Sequence, residues 1–324
     1  MAPIHNQFPP SLHASTPGCR SADGLTRLGP PRKDEPLVAR RLKTRQPESR
    51  HFMSTKSETL DFLAFLVKLV LVVGLIRSLL VSPFNIPSES MQPRLLIGDY
   101  LLVSKWPYGY SRYSFPFQPK LFEGRIPAGM PEHGDVIVFA SPRNPKEDWI
   151  KRVIGLPGDT IQMRGGTVYL NGRPVPKRRI ADLVIPVTAN MLDAARAGGD
   201  PSPCFRDDFE VTGEKGERFC RYPRYRETLP NGKSYDVLDL IETSADNSGV
   251  YVVPQDHLFV MGDNRDRSAD SRIAPENGGV GALPVDHVIG RAMVSFFSTD
   301  GSANWLMPWT WLTAARPERI GEGF

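Results

Sequence analysis

The most hydrophobic part of the chain is one continuous run close to its amino-terminal end. From Phe62 to Ile76 every residue except Lys68 is apolar. A helix needs about 20 mainly apolar residues to cross a membrane, and a lysine in such a run extends its charge to the interface. The pattern therefore predicts a transmembrane anchor over residues 58–82. A cleavable signal peptide would have a shorter apolar stretch and a small-x-small site, which does not follow here, and a buried core helix is the remaining alternative.

Beyond the anchor, the pattern changes to short runs of branched and aromatic residues separated by turns. Three such runs begin at Tyr100, Asp135 and Trp149, and Asn171-Gly172 is typical of a hairpin turn. We therefore expect a mostly β fold, in which a transmembrane helix is followed by a β-rich domain with an inserted second β lobe. The predicted parts are a tail over 1–57, the anchor over 58–82, the first part of the β-rich domain over 83–160, the inserted lobe over 161–252, the second part of the domain over 253–299 and an aromatic segment over 300–324.

Basic charge is concentrated in the segment before the anchor. Residues 1–52 contain nine Lys or Arg, four Asp or Glu and eight Pro, a composition typical of disorder. A nucleic-acid-binding protein would carry its charge on a folded surface, so we do not expect nucleic acid as a partner. The basic segment predicts a cytoplasmic amino terminus and a body on the outer face of the membrane. Met53 begins the short stretch Met53-Ser54-Thr55-Lys56 ahead of the apolar segment, and we expect it to be the true start of the protein.

Two cysteines and three tryptophans add further expectations for the body. Cys204 and Cys220 lie 16 positions apart, and in an oxidising compartment they can form a disulfide; two buried free thiols are the alternative. The spacing of the cysteines does not match a zinc site, and we expect no metal and no other cofactor. Trp305, Trp309 and Trp311 suit either a membrane interface or ordinary packing.

The first candidate for chemistry follows the anchor directly. Ser88 and Ser90 stand two positions apart between Pro87 and Pro93, and prolines stiffen the backbone. A stiff extended loop is a suitable place for a nucleophilic serine, although a polar linker would have the same composition.

The second candidate is a lysine within an apolar strand pattern. Lys151 follows Trp149 and Ile150 and precedes Gly155-Leu156-Pro157-Gly158. Burial disfavours the ammonium form of a lysine and lowers its pKa, and the neutral amine can then accept the proton of a serine hydroxyl. The glycines lack the spacing of a phosphate-binding loop and indicate a turn.

The third candidate is the polar segment Gly262–Arg272, in which aspartates and arginines alternate around Ser268. Its acidic residues suggest calcium, but the central glycine and terminal glutamate of an EF-hand loop are missing. Arginine–carboxylate pairs that hold Ser268 are the better interpretation. A Ser-His-Asp triad is disfavoured, because the body contains only His133, His257 and His287 and the chain has no GxSxG motif.

Together these segments resemble the bacterial type I signal peptidases, or leader peptidases, a family of Ser–Lys serine proteases. The resemblance is carried by Pro-Ser-x-Ser-Met-x-Pro, Lys-Arg-Val-Ile-Gly-Leu-Pro-Gly-Asp and Gly-Asp-Asn-Arg-Asp-x-Ser-x-Asp-Ser-Arg, in the family's order behind an anchor. It implies a membrane-bound serine endopeptidase that removes signal peptides from exported precursors by cutting after small residues, in an Ala-x-Ala pattern. The implied partners are these precursors and membrane lipid. The implied location is the bacterial inner membrane, with a monomeric enzyme whose catalytic domain faces the periplasm.

The resemblance also implies a role for each matching residue. The implied catalytic residues are the nucleophile Ser90, the general base Lys151, the oxyanion-hole hydroxyl of Ser88, the lysine-orienting Ser268 and the supporting ion pair of Asp270 with Arg272. The residues that align with shallow apolar pockets for small substrate side chains are Ile86, Pro87, Met91, Leu95, Trp149 and Ile150. The substrate would lie extended along an exposed strand.

Several positions depart from the family's pattern. Glu89 stands where a small residue is usual, and Arg94 stands where many members have Thr. The charge of Glu89 is expected to point to solvent, since it would otherwise disturb the site. Past Arg272 the sequence leaves the common pattern and rejoins it at Pro284. Three rivals remain: a self-cleaving repressor, which the anchor disfavours, a peptidase dedicated to one exported or conjugative substrate, and a catalytically silent membrane-anchored binding module.

Overall fold

The computed structural model describes residues 55–120, 122–304 and 306–324. Most of the predicted tail, including Met53, and also Trp305 lie outside the described residues. The helices are α1 Thr55–Leu79, α2 Ala189–Gly198 and α3 Trp309–Ala314. The strands are β1 Val81–Asn85, β2 Asp99–Ser104, β3 Val136–Ala140, β4 Asp148–Gly155, β5 Thr160–Arg164, β6 Thr167–Leu170, β7 Arg173–Pro174, β8 Lys177–Pro186, β9 Glu210–Thr212, β10 Arg218–Thr228, β11 Ser234–Leu238, β12 Tyr251–Val252, β13 His257–Met261, β14 Leu283–Pro284 and β15 Val288–Ser298. The prediction of a mostly β fold behind one apolar helix is confirmed.

Helix α1 contains a stretch that is long and apolar enough to cross a membrane. The stretch Glu58–Leu79 has 22 residues and a mean hydropathy of 2.4, and none of it is buried against the rest of the protein. Within the described ranges no second helix has these properties. The exposure of its apolar side chains is unlike that of a buried core helix.

The largest sheet has seven strands in the order β1-β2-β15-β3-β4-β13-β14, and each pair is antiparallel. Strand β1 lies at one edge and follows α1 after a single residue. The central strand β3 is buried along its whole length. Val136, Val138 and Ala140 contribute to one hydrophobic cluster, whereas Ile137 and Phe139 contribute to another. This alternation is the period of two that is expected for a strand covered on both faces.

Two smaller sheets account for the segment that the sequence predicts as an inserted lobe. One has the order β12-β5-β6-β7, and the other has the order β11-β10-β8 with β9 beside β10. The turn between β6 and β7 is formed by Asn171 and Gly172, which both have positive φ angles, as a tight hairpin requires. Cys204 and Cys220 are joined by a disulfide, with their Cα atoms 5.3 Å apart. Both cysteines pack with Met191 of α2 in one hydrophobic cluster.

Candidate active site

The predicted serines lie on residues 86–98, which connect the paired strands β1 and β2 and which we call the serine loop. Its base is closed by hydrogen bonds from Ile86 N to Asp99 O (2.8 Å) and from Gly98 N to Ile86 O (2.9 Å). The fully buried Asp99 carboxylate also accepts a hydrogen bond of 2.6 Å from Arg319. The main chain of the serine loop is therefore fixed at its base by the surrounding fold.

Ser90 and Lys151 bring their side chains together beside strand β4. Ser90 is 6% exposed and Lys151 is 5% exposed. Lys151 Nζ lies 2.9 Å from Ser90 Oγ and also 2.9 Å from the carbonyl oxygen of Ile150. Burial lowers the pKa of Lys151 from its usual 10.5 to about 8, and the charges of Asp270 and Asp263 limit the decrease. The lysine is thus available as a neutral amine close to neutral pH.

Two further serines lie next to this pair. Ser88 is exposed, and its Oγ lies 3.4 Å from Ser90 Oγ. Ser268 is buried, and its hydroxyl has no hydrogen-bond partner among the described residues, so its orienting role toward Lys151 stays a prediction. A Cβ atom added at Gly262 would lie 2.3 Å from Ser268 Oγ and 2.5 Å from Ser90 O. Close packing therefore requires glycine at position 262, which the sequence analysis did not single out.

Asp270 and Arg272 form an ion pair behind the site. Arg272 Nε and Nη2 each lie 2.9 Å from an oxygen of Asp270. The fully buried Asp270 also accepts a hydrogen bond of 3.0 Å from Gly262 N. Burial opposes the charge of Asp270, but Arg272 and the backbone hydrogen bonds hold the pKa of this carboxyl below its usual range. A lasting negative charge near Lys151 therefore keeps the pKa of the lysine from falling further.

Two buried arginine–carboxylate pairs connect the segment 262–272 to the sheets. Arg152 donates to Asp263 from Nε (2.7 Å) and Nη2 (2.6 Å), although the two residues are 111 positions apart. Arg265 donates to Glu227 of β10 at 2.5 Å. The sequence predicts arginine–carboxylate pairs in this segment, but it does not indicate these partners, because nothing close to Arg152 or Arg265 in the sequence marks the carboxylate that each one binds.

Glu89 behaves differently from the expectation. Its carboxylate accepts a hydrogen bond from the guanidinium of Arg267, which also donates to Asp200 in the predicted lobe. The side chain of Glu89 is mostly buried. The expectation that its charge points to solvent is wrong, because a cation from the segment 262–272 compensates the charge beside the serines.

A cleft of about 490 Å³ opens next to Ser90 and Lys151. Its apolar lining consists of Phe84, Ile86, Pro87, Val138, Trp149, Ile150 and Ala269. Four of the six residues predicted for substrate pockets are among them. The other two, Met91 and Leu95, do not line the cleft, because both are fully buried in the same core cluster as Ile86 and Ile150. They support the cleft through that cluster.

The three histidines of the body are engaged away from the serines. His133 Nε2 lies 2.7 Å from Asp159 Oδ2. Nδ1 of His257 and Nδ1 of His287 each lie within hydrogen-bond distance of a main-chain carbonyl. Within the described part of the chain, none of these hydrogen bonds connects a histidine to a serine, as a Ser-His-Asp triad would require.

The geometry is that of a mostly β protein with a serine hydroxyl hydrogen-bonded to a buried lysine. Comparisons with known proteins find relatives over most of the chain. Residues 59–297 match the family described as signal peptidase, peptidase S26. The chain is 34% identical over 256 residues to signal peptidase I of Rickettsia typhi, and the alignment covers 76% of this chain and 81% of that protein. It is 35% identical over 246 residues to signal peptidase I of Rickettsia canadensis, and this alignment covers 73% of this chain and 78% of that protein. A crystal structure of a signal peptidase I from Enterococcus faecalis is 27% identical and covers 50% of this chain and 96% of that chain, with a TM-score of 0.25.

The chain therefore belongs to the S26 family of signal peptidases. The prediction of the family and of a signal peptidase enzyme, made from three short motifs, is confirmed by a match that covers most of the chain.

Proposed function

We propose that this signal peptidase is a serine endopeptidase with a Ser–Lys dyad, in which Ser90 is the nucleophile and Lys151 is the general base. The observation that carries the proposal is the 2.9 Å contact between Lys151 Nζ and Ser90 Oγ in a buried setting. A base with a pKa of about 8 is well matched to proton transfer near neutral pH.

The proposed reaction proceeds through an acyl-enzyme. Neutral Lys151 takes the proton of Ser90 Oγ as this oxygen attacks the scissile carbonyl carbon, and the resulting ammonium gives that proton to the leaving amine. Lys151 then takes a proton from a water molecule that attacks the ester, and Ser90 leaves with the proton restored. The hydroxyl of Ser88 and the backbone N–H of Ser90 would stabilise the oxyanion, at about 3 kcal/mol per donor. Ser268 would orient the lysine, with Asp270 and Arg272 in support.

The proposed substrates are signal-peptide-bearing precursors that are cut after the second small residue of an Ala-x-Ala site. The apolar lining of the cleft by Ile86, Trp149 and Ile150 supports this preference, because small apolar side chains fit a shallow apolar surface. The edge strand β1 ends next to the cleft, and an extended substrate can pair with such an edge.

The proposed setting is the bacterial inner membrane, with the enzyme as a monomer in contact with lipid. The stretch Glu58–Leu79 of α1 would span the bilayer, since its length and apolar composition suffice. The amino terminus would lie in the cytoplasm, and the catalytic domain would lie on the periplasmic face, close to the precursors as they emerge.

The decisive experiment is the cleavage of a precursor peptide with an Ala-x-Ala site in detergent. The wild type should cut after the second Ala, whereas Ser90→Ala and Lys151→Ala should be folded and inactive. Activity that survives in Ser90→Ala would show that the nucleophile is misassigned. A folded wild type that cuts no general precursor would favour a dedicated peptidase if a covalent serine probe labels it, and a binding module if the probe does not.

A further inference from the structure

Three charged side chains from three separate segments meet at Arg267, which lines the cleft. Arg267 donates hydrogen bonds from Nε to Glu89 and from Nη2 to Asp200. Its guanidinium carbon lies 4.5 Å from the centre of the Phe205 ring, a cation–π contact. The side chains of Arg267, Glu89 and Asp200 are 24%, 17% and 18% exposed. Solvent therefore weakens this Glu89–Arg267–Asp200 cluster much less than it weakens an ordinary surface ion pair.

The position of Glu89 connects the cluster to the proposed chemistry. Glu89 lies between Ser88 and Ser90, so a fixed Glu89 side chain restrains the backbone that carries both hydroxyls. The segment 262–272 also holds the main chain of the serine loop, because Asn264 N donates a hydrogen bond of 3.1 Å to Ser90 O. The segment 262–272 therefore contacts the serine loop through both a backbone bond and a side-chain bond.

The other side of the cluster belongs to the predicted lobe. Asp200 follows α2 after a single residue, and its N–H donates to Ala195 O at 2.9 Å. Phe205 follows Cys204, which the disulfide joins to Cys220 on β10. The residues that hold Arg267 from this side thus lie on a short segment that is fixed by a helix at one end and by a disulfide at the other.

We propose that Glu89 and Arg267 are positioning residues, through which the disulfide-bonded lobe fixes the geometry of Ser88 and Ser90. The inference rests on the proposed function, in which Ser90 is the nucleophile. A displacement of about 1 Å in a reacting group can lower a rate about 100-fold. Loss of the cluster should therefore lower kcat and leave KM nearly unchanged. Arg267 also lines the cleft, and a direct role in substrate binding would raise KM instead.

The test measures kcat and KM for the full-length enzyme in detergent with the Ala-x-Ala precursor peptide. Glu89→Gln and Arg267→Met should each lower kcat about 10- to 100-fold, with KM within about twofold of the wild type. Because both act through one contact, the double variant should be no slower than the slower single variant. Asp200→Asn should have a smaller effect in the same direction. The control Arg196→Met removes an arginine from an exposed ion pair in α2 and should leave kcat and KM unchanged.

Reduction of the disulfide between Cys204 and Cys220 supplies a second readout. A mild reductant should lower kcat of the wild type, whereas Arg267→Met, in which the lobe is already uncoupled, should lose no further activity. Titration with a covalent serine probe counts the intact sites in every sample, so that unfolded enzyme does not affect kcat.

Three outcomes would overturn the positioning role: an unchanged kcat in Arg267→Met, an effect confined to KM, or additive losses in the double variant. A wild type that is indifferent to reduction would overturn the contribution of the disulfide. The probe distinguishes these failures from failure of the proposed function. If the probe labels Ser90 while Arg267→Met keeps its kcat, only the positioning role is lost; if an active wild type is not labelled at Ser90, the proposed function itself is wrong.

Discussion

Lys151 and Arg152 are neighbours on strand β4, and both are almost completely buried, yet their surroundings differ. Successive side chains of a strand point to opposite faces of the sheet. Arg152 donates twice to the carboxylate of Asp263 and lies over the ring of Tyr235, with its guanidinium carbon 4.1 Å from the ring centre. Lys151 instead donates to two uncharged oxygens, Ser90 Oγ and a main-chain carbonyl.

The pKa values of the two cations follow from this difference. Burial opposes the charge of both side chains. At Arg152 the bonded carboxylate of Asp263 outweighs burial, and the pKa of the guanidinium is raised. At Lys151 no bonded carboxylate compensates, and burial lowers the pKa to about 8. The comparison teaches that burial lowers the pKa of a cation whose direct partners are uncharged, and that a bonded carboxylate reverses this effect.

Removal of the Asp263 carboxylate, which binds Arg152, should have the largest effect on the free energy of unfolding. Asp263→Leu leaves a guanidinium buried without its partner, which typically costs about 3–5 kcal/mol. We expect the free energy of unfolding to fall by this amount in urea titrations followed by tryptophan fluorescence. Adding Arg152→Met to Asp263→Leu should recover most of the loss. A loss below about 1 kcal/mol in Asp263→Leu alone, as for an exposed pair, would contradict the comparison.

Replacement of Lys151 by Met should have the next largest effect on the free energy of unfolding, which should rise and not fall. A pKa lowered from 10.5 to about 8 destabilises the folded state by roughly 3 kcal/mol at neutral pH. Between about pH 8 and pH 10.5, Lys151 is protonated in the unfolded chain but not in the folded chain, so the free energy of unfolding of the wild type rises with pH. Below about pH 8 the destabilisation is present in full.

The variant Lys151→Met should therefore be more stable than the wild type by up to about 3 kcal/mol at pH 7. The gain should shrink as the pH rises above about 8. Urea titrations of both proteins at about pH 7 and at about pH 9.5 measure this change. If the difference is the same at both pH values, protonation of Lys151 is not its cause.

The smallest expected change is in the activation free energy of the reaction, which should depend on pH. Below about pH 8 the neutral fraction of Lys151 falls about tenfold per pH unit, which is about 1.4 kcal/mol of activation free energy. We expect kcat/KM to rise with this slope and to level off above pH 8. Lys105 is a matched control, because burial also lowers its pKa to about 8 while its amine donates to Ser114 O. A pH profile of kcat/KM that is flat, or that shifts in Lys105→Met, would show that Lys151 is not the base.

The sequence contained the parts of the site that have a local signature. Ser90 stands between stiffening prolines, and Lys151 stands inside an apolar strand pattern, so both were candidates from their neighbours, and the resemblance to a family supplied their expected roles. The short runs of branched and aromatic residues between turns likewise predicted the mostly β fold, because strand-forming composition and turn residues are properties of adjacent positions.

Contacts between distant segments have no such signature. Arg267 reaches Asp200 from 67 positions away, and no pattern near Glu89 indicates that a guanidinium will cover it. Met91 directly follows Ser90, yet the fold of the serine loop directs its side chain into the core. These features depend on which segments the fold brings together, and a single sequence does not record that.

Strand β15 is the last strand in the described part of the chain, yet it lies inside the large sheet, between β2 and β3. The pair β1–β2, which carries the serine loop, and the pair β3–β4, which carries Lys151, are joined through it. A chain still being synthesised cannot complete this sheet until residues 288–298 have been made. Contacts so distant in sequence form slowly. The order of the strands alone therefore delays the approach of Ser90 to Lys151 until the carboxyl-terminal part of the sheet has been synthesised.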